Sequence, residues 1–243
     1  MESQKITKES KRRYEDACGT AHGLELVGER WALLVMRELM LGPKRFTDLR
    51  PDLPGISANV LTQRLEGLEA SGPVVRRRLP PPMSAQVYEL TPWGYEADPI
   101  VQTLGRWAAR SPAHDPSMQI SATSLMLSFR TMFDAARAGD MKARIGFRIG
   151  EQAFAGRIAD GRLVVERGDP EGADFVFTSA VAGAIAAAVY GGVPFDALEE
   201  DGMLKVEGDR ALAERFTALF PLPPKAETPA CSGRGGVGPG DFA

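Results

Sequence analysis

The sequence contains few of the residues from which enzyme and metal sites are usually built. Its 243 residues include two cysteines, Cys18 and Cys231, and two histidines, His22 and His114. The cysteines lack the close spacing of metal ligands, and neither G-x-S-x-G nor H-E-x-x-H occurs. Because nothing in the sequence pairs a nucleophile with a base, we expect neither catalysis nor a metal or other cofactor.

Long hydrophobic runs are also absent. No apolar stretch reaches about 18 residues, the length that a membrane-spanning helix needs, and the sequence has no recognisable signal peptide. Scarce cysteine without such a signal is typical of a reducing compartment. We therefore expect a cytoplasmic protein that does not bind a membrane.

The glycine-rich motif near the C-terminus does not indicate a nucleotide site. Residues 233–238 spell G-x-G-x-x-G, but Pro229 and Pro239 flank the motif, and neither a strand nor a helix pattern adjoins it. The composition of this region favours disorder instead. We predict a disordered tail over residues 222–243.

A helix-turn-helix pattern is present between residues 28 and 72. Trp31, Leu34, Val35 and Leu39 recur at three- and four-residue spacing, which predicts an amphipathic helix that ends at the following glycine-proline pair. A second short helix follows this turn. A third helix begins after Ser57, which is suited to cap it, and ends at residue 72.

The polar side of this third helix suits the major groove of DNA. Asn59, Thr62 and Gln63 lie opposite the apolar residues of the helix, and amide side chains match the hydrogen-bonding edge of adenine. Considered alone, an ordinary solvated helix face explains the same pattern equally well.

The segment that follows favours the DNA interpretation. Residues 74–79 and 86–90 are predicted to form two strands joined by a proline-rich loop, and together they make a wing beside the helix. Arg76, Arg77 and Arg78 are consecutive, so at least one guanidinium lies on each face of the first strand, where it can reach phosphates.

From residue 18 to residue 107 the sequence resembles the HxlR-type winged-helix transcriptional regulators, a branch near the MarR-like regulators. The matching motifs are G-x-x-W-x-L-x-x-x-R-E-L at 28–39, G-P-x-R-F-x-x-L at 42–49, L-T-Q-R-L-x-x-L-E-x-x-G at 61–72 and Y-x-L-T-x-x-G at 88–94. The resemblance implies a homodimer that binds a palindromic promoter operator in double-stranded DNA, with the helix around Trp107 in the dimer interface.

The resemblance also implies which residues contact DNA. They lie on the third helix, at the turn before the second helix and at the start of the wing: Arg45, Ser57, Asn59, Thr62, Gln63, Arg64, Arg76 and Arg77. Arg64 borders the core side, so it is alternatively a brace for the fold. In some members the leading cysteine, here Cys18, senses redox state or electrophiles; the alternative is a small buried residue.

The composition changes near residue 114 and predicts two domains. Residues 110–116 have the proline and serine content of a linker, and the second half is the more acidic one. An acidic half is a poor binder of polyanions. We predict a DNA-binding and dimerization domain over residues 1–113 and a second domain over residues 114–221.

The second half predicts helices around an antiparallel sheet. A helix is expected over residues 122–138, followed by strands at 144–149, 152–158, 162–166 and 174–178, with a hairpin turn at Asp160-Gly161. Ser179 is expected to cap an alanine-rich helix, a short acidic segment then leads to residues 203–207, and Asp209 is expected to cap the last helix.

This order resembles the sterol carrier protein type-2-like domain, a sheet covered by helices around an apolar tunnel for hydrophobic molecules. The matching pieces are D-G-x-L-x-V at 160–165, A-D-F-V-F-T-S at 173–179 and G-x-L-K-V-E-G-D at 202–209. The expected ligand-binding residues are apolar: Phe147, Phe154, Phe175, Phe177, Ile185 and Phe195. The competing interpretation is that these side chains merely fill a core.

Together the two resemblances predict an α+β protein, a winged helix-turn-helix domain joined to a sterol-carrier-like domain. The expected function is that of a repressor that a hydrophobic small molecule releases from its operator. One alternative is a second domain that only supports dimerization or binds another protein. Another is a lipid-binding carrier with a vestigial DNA-binding domain.

Overall fold

The structure is a computed structural model that describes residues 14–81 and 84–227. The helices are α1 (Gly19–Val27), α2 (Ala32–Leu39), α3 (Phe46–Leu49), α4 (Ala58–Ser71), α5 (Pro92–Tyr95), α6 (Asp98–Ala109), α7 (Ala122–Met132), α8 (Ala135–Ala138), α9 (Ala182–Gly191), α10 (Phe195–Glu200) and α11 (Arg210–Thr217). The strands are β1 (Val74–Arg78), β2 (Gln86–Leu90), β3 (Ala143–Ile149), β4 (Gln152–Ala159), β5 (Arg162–Arg167), β6 (Phe175–Ser179) and β7 (Lys205–Gly208).

The first half confirms the predicted order of helices followed by a two-stranded wing. Ser57 caps α4, because its Oγ accepts a hydrogen bond from the amide of Val60 at 3.3 Å. The helix ends at Gly72, whose φ of 104° is a left-handed conformation that favours glycine. In α2 the prediction for Leu34 is wrong, since its side chain is exposed; Ala32, Val35, Met36 and Leu39 are buried instead.

The second half contains a five-stranded sheet in the order β5-β4-β3-β6-β7. The hairpin predicted at Asp160-Gly161 is confirmed, and both residues have the positive φ values that such a two-residue turn requires. The expectation of an antiparallel sheet is wrong for one pair, because β3 and β6 are parallel.

The parallel pair results from a crossing segment, residues 168–174. The amide of Gly168 donates to the carbonyl of Ala153, and the amide of Asp174 donates to the carbonyl of Arg144 at the opposite end of β3. The chain therefore traverses the sheet before β6 begins, and β6 runs in the direction of β3. Gly146 leaves room for this segment, because a Cβ there would lie 2.7 Å from a side-chain carbon of Pro170.

Two further predictions about helix boundaries need correction. The helix expected over 122–138 is broken after Met132, because Asp134 turns its carboxylate to the amides of Ala136 and Arg137 and caps α8. Ser179 does not cap α9, which has Val181 at that position; the Ser179 hydroxyl instead donates to backbone carbonyls, including that of Met203. The cap predicted at Asp209 is confirmed.

The two halves have separate hydrophobic cores that touch. The core of the second half is a group of aromatic rings that contact one another: Phe129, Phe147, Phe175, Phe177, Phe216 and Phe220. Leu127 of α7 belongs to the core of the first half, and Leu41 packs against both cores. The helix α7 therefore joins the two halves through packed apolar side chains.

The beginning of the predicted tail lies against the predicted linker. The ammonium of Lys225 donates to the carbonyls of Ala109 and Ser111, and the amide of Ala226 donates to the carbonyl of Arg110 at 2.7 Å. Residues 228–243, with Cys231 and the glycine-rich motif, lie outside the described residues. Within the described ranges, no helix is both long and apolar enough to cross a bilayer.

Candidate nucleic-acid interface

The outward face of α4 carries the polar residues expected to read bases. Asn59, Thr62 and Gln63 are exposed, while Leu61, Leu65 and Leu68 are buried against α2 and the rest of the first core. Ser57 is exposed too, although its hydroxyl caps the helix. The buried side fixes the orientation of α4 and leaves its polar face free for a groove.

Two further arginines near α4 were predicted to contact DNA, and only one of them is free to do so. Arg45 is exposed at the start of α3. Arg64 is half-buried; its Nε donates to the carbonyl of Arg30 at 2.8 Å, and its guanidinium pairs with Glu29 at 3.0 Å. This geometry favours the alternative in which Arg64 braces α4 against the residues before α2.

The arginines of the wing lie on β1, beside α4. Arg76 pairs with Glu69 of α4 at 3.6 Å, and Arg77 pairs with Glu89 of β2 at 2.9 Å. Both side chains are half exposed or more, and surface ion pairs of this kind contribute only about 0–1 kcal/mol. Exchange of Glu69 for a DNA phosphate is therefore energetically cheap for Arg76, whereas the Glu89 partner of Arg77 is only 22% exposed and exchange there costs more.

An apolar stripe runs along α6. Ile100, Leu104 and Trp107 recur at helical spacing, and 70% of Trp107 is exposed. Among the residues that the structure describes, none on α6 is buried. Exposed apolar side chains aligned along a helix are typical of a protein–protein contact.

Cys18 lies at the N-terminal end of α1 and is exposed, so the alternative of a small buried residue is wrong. Hydrogen bonds from the backbone and side chain of Thr20 lower the pKa of the thiol below its ordinary value, because they stabilise the thiolate. A role in sensing stays a prediction.

The six residues expected to bind a ligand all lie within the core of the second half. Four of them have rings in contact, since the centroid of Phe177 lies 5.4 Å from that of Phe175, 5.9 Å from that of Phe147 and 5.7 Å from that of Phe195. Two surface clefts, of about 330 and 410 Å³, are lined by other residues. Ligand binding by these six residues stays a prediction, and the ring contacts are those of a packed core.

A buried group of charges was missed by the sequence analysis. The ammonium of Lys44 lies 2.8 Å from Oε2 of Glu38 and 2.7 Å from Oδ2 of Asp52, and it also donates to Oγ1 of Thr123 at 2.9 Å. We call Glu38, Lys44 and Asp52 the junction cluster. A lysine after a glycine-proline turn is ordinarily exposed, and Thr123 is 79 residues away, so no local signal marked this site.

The carboxylate of Glu38 is fully buried and nevertheless charged. Burial raises the pKa of this group, but the charges of Lys44 and Arg37 and a hydrogen bond from Ser121 outweigh burial and hold the pKa below its ordinary value. The Arg37 guanidinium lies 2.8 Å from Oε1, and the Ser121 hydroxyl donates to the same atom at 2.7 Å. The junction cluster is thus a paired ionic group between the two halves.

A helix with an exposed polar face, supported by two others and flanked by a two-stranded wing that carries arginines, defines a winged helix-turn-helix domain. The model of the HxlR-like helix-turn-helix family matches residues 26–115. The chain is 38% identical over 94 residues to the uncharacterized transcriptional regulator YkvN of Bacillus subtilis. This match spans 37% of this chain and 77% of YkvN. The chain therefore belongs to the HxlR-like helix-turn-helix family.

Other relatives match the same part of the chain to a similar extent. The regulator YodB of Bacillus subtilis is 37% identical over 83 residues, or 34% of this chain and 74% of YodB. A solved structure of YodB in its reduced form is 32% identical and covers 41% of this chain and all of that one, with a TM-score of 0.37. The family match ends at residue 115, so the resemblance of the second half to sterol carriers stays a prediction.

Proposed function

We propose that the protein is a cytoplasmic transcriptional repressor that binds a palindromic operator as a homodimer and is not an enzyme. The observation that carries this proposal is the position of the exposed polar face of α4 next to the arginines of the wing. Asn59, Thr62 and Gln63 read base edges, while Arg45, Arg76 and Arg77 hold phosphates. Two copies of α4, about one DNA turn apart, would read the two half-sites.

The wing contribution is testable through the salt dependence of binding. Replacing both Arg76 and Arg77 by Ala removes two phosphate contacts from each protomer and four from the dimer, so the slope of log affinity against log salt concentration should become shallower by about 3.6. We would measure it by fluorescence anisotropy on a duplex that the wild-type chain selects from random-sequence DNA. By contrast, Gln63→Ala should weaken binding by about 1–3 kcal/mol for each half-site and leave the slope unchanged.

A matched control for the wing variant replaces two exposed arginines of the second half, Arg162 and Arg215, by Ala. This change alters the net charge by the same amount at a distance from α4. An equal loss of slope in the control would show a non-specific charge effect and would remove the wing from the interface.

We place the dimer contact on α6, with Trp107 as its centre. Trp107→Ala should weaken dimerization about 30-fold or more, because buried tryptophans are frequent anchors of interfaces. Sedimentation velocity across a concentration series measures this effect. Met118→Ala, which shortens a similarly exposed apolar side chain outside α6, is the control. A dimer that is unchanged by Trp107→Ala would move the interface elsewhere.

The proposed effector is a hydrophobic small molecule bound by the second half, residues 114–221. Such a ligand acts as a switch only if it binds the DNA-competent and incompetent states with different affinities. The proposal of a hydrophobic effector is supported by the order of strands and helices in the second half, which resembles that of sterol carriers. Small molecules that co-purify with the full chain would be identified by native mass spectrometry.

A second candidate role for this half is structural. The contacts among Phe147, Phe177 and their neighbours favour it, because filled cores contain such ring pairs whether or not a ligand exists. In that role the second half supports the DNA-binding half or a protein contact. A lipid carrier with a vestigial DNA-binding half is the third alternative. It predicts that replacing Arg76 and Arg77 by Ala leaves the affinity for DNA and its salt dependence unchanged.

A further inference from the structure

Lys44 connects three parts of the DNA-binding unit. Its backbone amide and carbonyl pair with those of Tyr88 in β2, at 3.0 and 2.8 Å, and so tie the turn before α3 to the wing. Its side chain binds Glu38 in α2 and Asp52, which follows α3. Lys44 therefore contacts all three elements and helps to fix the positions of α2, α3 and the wing relative to one another.

The second half completes the hydrogen bonding of the junction cluster. An ammonium has three donors, and the third donor of Lys44 is accepted by Oγ1 of Thr123 in α7. Ser121, which caps α7, donates to Glu38, and the side-chain amide of Gln152 lies 3.4 Å from Asp52. Each charged member of the cluster thus has a partner from beyond residue 120.

This arrangement makes the position of α7 a constraint on the DNA-binding unit. Lys44 is only 3% exposed, so a displacement of α7 that is too small to admit water leaves its ammonium without the Thr123 acceptor. A buried charged group that loses a hydrogen-bond partner is costly, and the cluster must then rearrange. Because the Lys44 backbone is paired with Tyr88, this rearrangement reaches the wing.

We infer that Thr123, Ser121 and Gln152 are positioning residues through which the second half sets the junction of α3 and the wing. None of these residues needs to touch DNA. The inference deepens the proposed function and rests on it, since it supplies the physical path by which a change in the second half would alter the position of the wing relative to α3.

The test is Thr123→Val in the full chain, which keeps the shape of the side chain and removes the acceptor. We expect amide hydrogen exchange at Lys44 and Tyr88 to become about tenfold faster and affinity for the selected duplex to fall about tenfold. Thr131→Val is the matched control, because Thr131 is on the same helix and its hydroxyl donates to the carbonyl of Leu127 within α7. Thr123→Ser, which retains the hydroxyl, should restore both values.

Amide hydrogen exchange and DNA affinity, measured together, distinguish a failure of this inference from a failure of the proposed function. Equal exchange at Lys44 and Tyr88 in Thr123→Val and Thr131→Val would overturn it, whatever both variants do to the melting temperature. Faster exchange without weaker binding would show that the junction does not govern the DNA surface and would overturn it too. If the wild-type chain selects no duplex, the proposed function fails, and exchange alone decides whether α7 holds the junction.

Discussion

Replacing Lys44 by Met lowers the free energy of unfolding by about 3–5 kcal/mol, because it leaves buried carboxylates without their cation. Glu38 is fully buried and Asp52 is 13% exposed at its side chain, so solvent compensates neither charge well. The Arg37 guanidinium remains on the opposite oxygen of Glu38 and limits the loss. Urea denaturation at neutral pH, followed by circular dichroism, measures this difference.

A surface lysine supplies the control for this variant. Lys205 pairs with Glu207 at 2.8 Å, but both side chains are largely exposed, so Lys205→Met should cost less than about 1 kcal/mol. If Lys44→Met costs no more than Lys205→Met, the junction cluster is not a paired buried group. Adding Glu38→Gln and Asp52→Asn to Lys44→Met removes the unpaired charges and should recover part of the loss.

The difference in the free energy of unfolding between the wild-type chain and Lys44→Met should also depend on pH. In the wild-type chain the pKa of Glu38 lies below its ordinary value of 4.5, so the ion pairs stabilise the fold at neutral pH. That contribution is lost as the pH falls through the depressed pKa. In the variant, burial without Lys44 favours the neutral acid, and the difference between the two proteins should therefore narrow in acid.

Replacing Phe147 by Ala should lower the free energy of unfolding by about 3–5 kcal/mol, as is usual for a buried phenylalanine. The ring is fully buried and contacts those of Phe129, Phe177 and Phe216. Removing it leaves a cavity that these rings can fill only in part. The same urea titration measures the effect.

This measurement distinguishes the two roles of the second half. Val164→Ala, in a side chain that is 46% exposed on β5, should change stability by no more than about 0.5 kcal/mol. A loss as small as this for Phe147→Ala would mean that the ring borders an open space, as a ligand-lining residue would. A large loss supports the packed core, and a ligand would then require another site.

The features that could be predicted from the sequence are those with a local cause. Ser57 and Asp209 cap helices through hydrogen bonds to amides three residues away, and Asp160-Gly161 forms a turn whose geometry depends on two residues. The capping signal of Asp134 was equally local, and it was missed because the apolar spacing on either side of this residue continued. Such signals act within about one turn of the chain.

The features that were missed depend on residues far apart in the sequence. The pairing of β3 with β6 follows from the path of residues 168–174 across the sheet, which strand patterns do not record. The burial of Lys44 depends on Thr123 and on the placement of α7. The polar face of α4 was predictable from helical spacing, whereas the bracing of Arg64 by Glu29 required the packed arrangement of two segments.

The junction cluster limits how freely the two halves can be exchanged. A chimera that joins residues 1–113 to an unrelated sensor would have to supply hydroxyl and amide groups in place of Ser121, Thr123 and Gln152. A new partner domain without these groups would leave the charged groups of Lys44 and Glu38 without the hydrogen bonds that Thr123 and Ser121 now provide. Limited proteolysis within residues 110–116 should for the same reason yield two fragments that remain associated until denaturant is added.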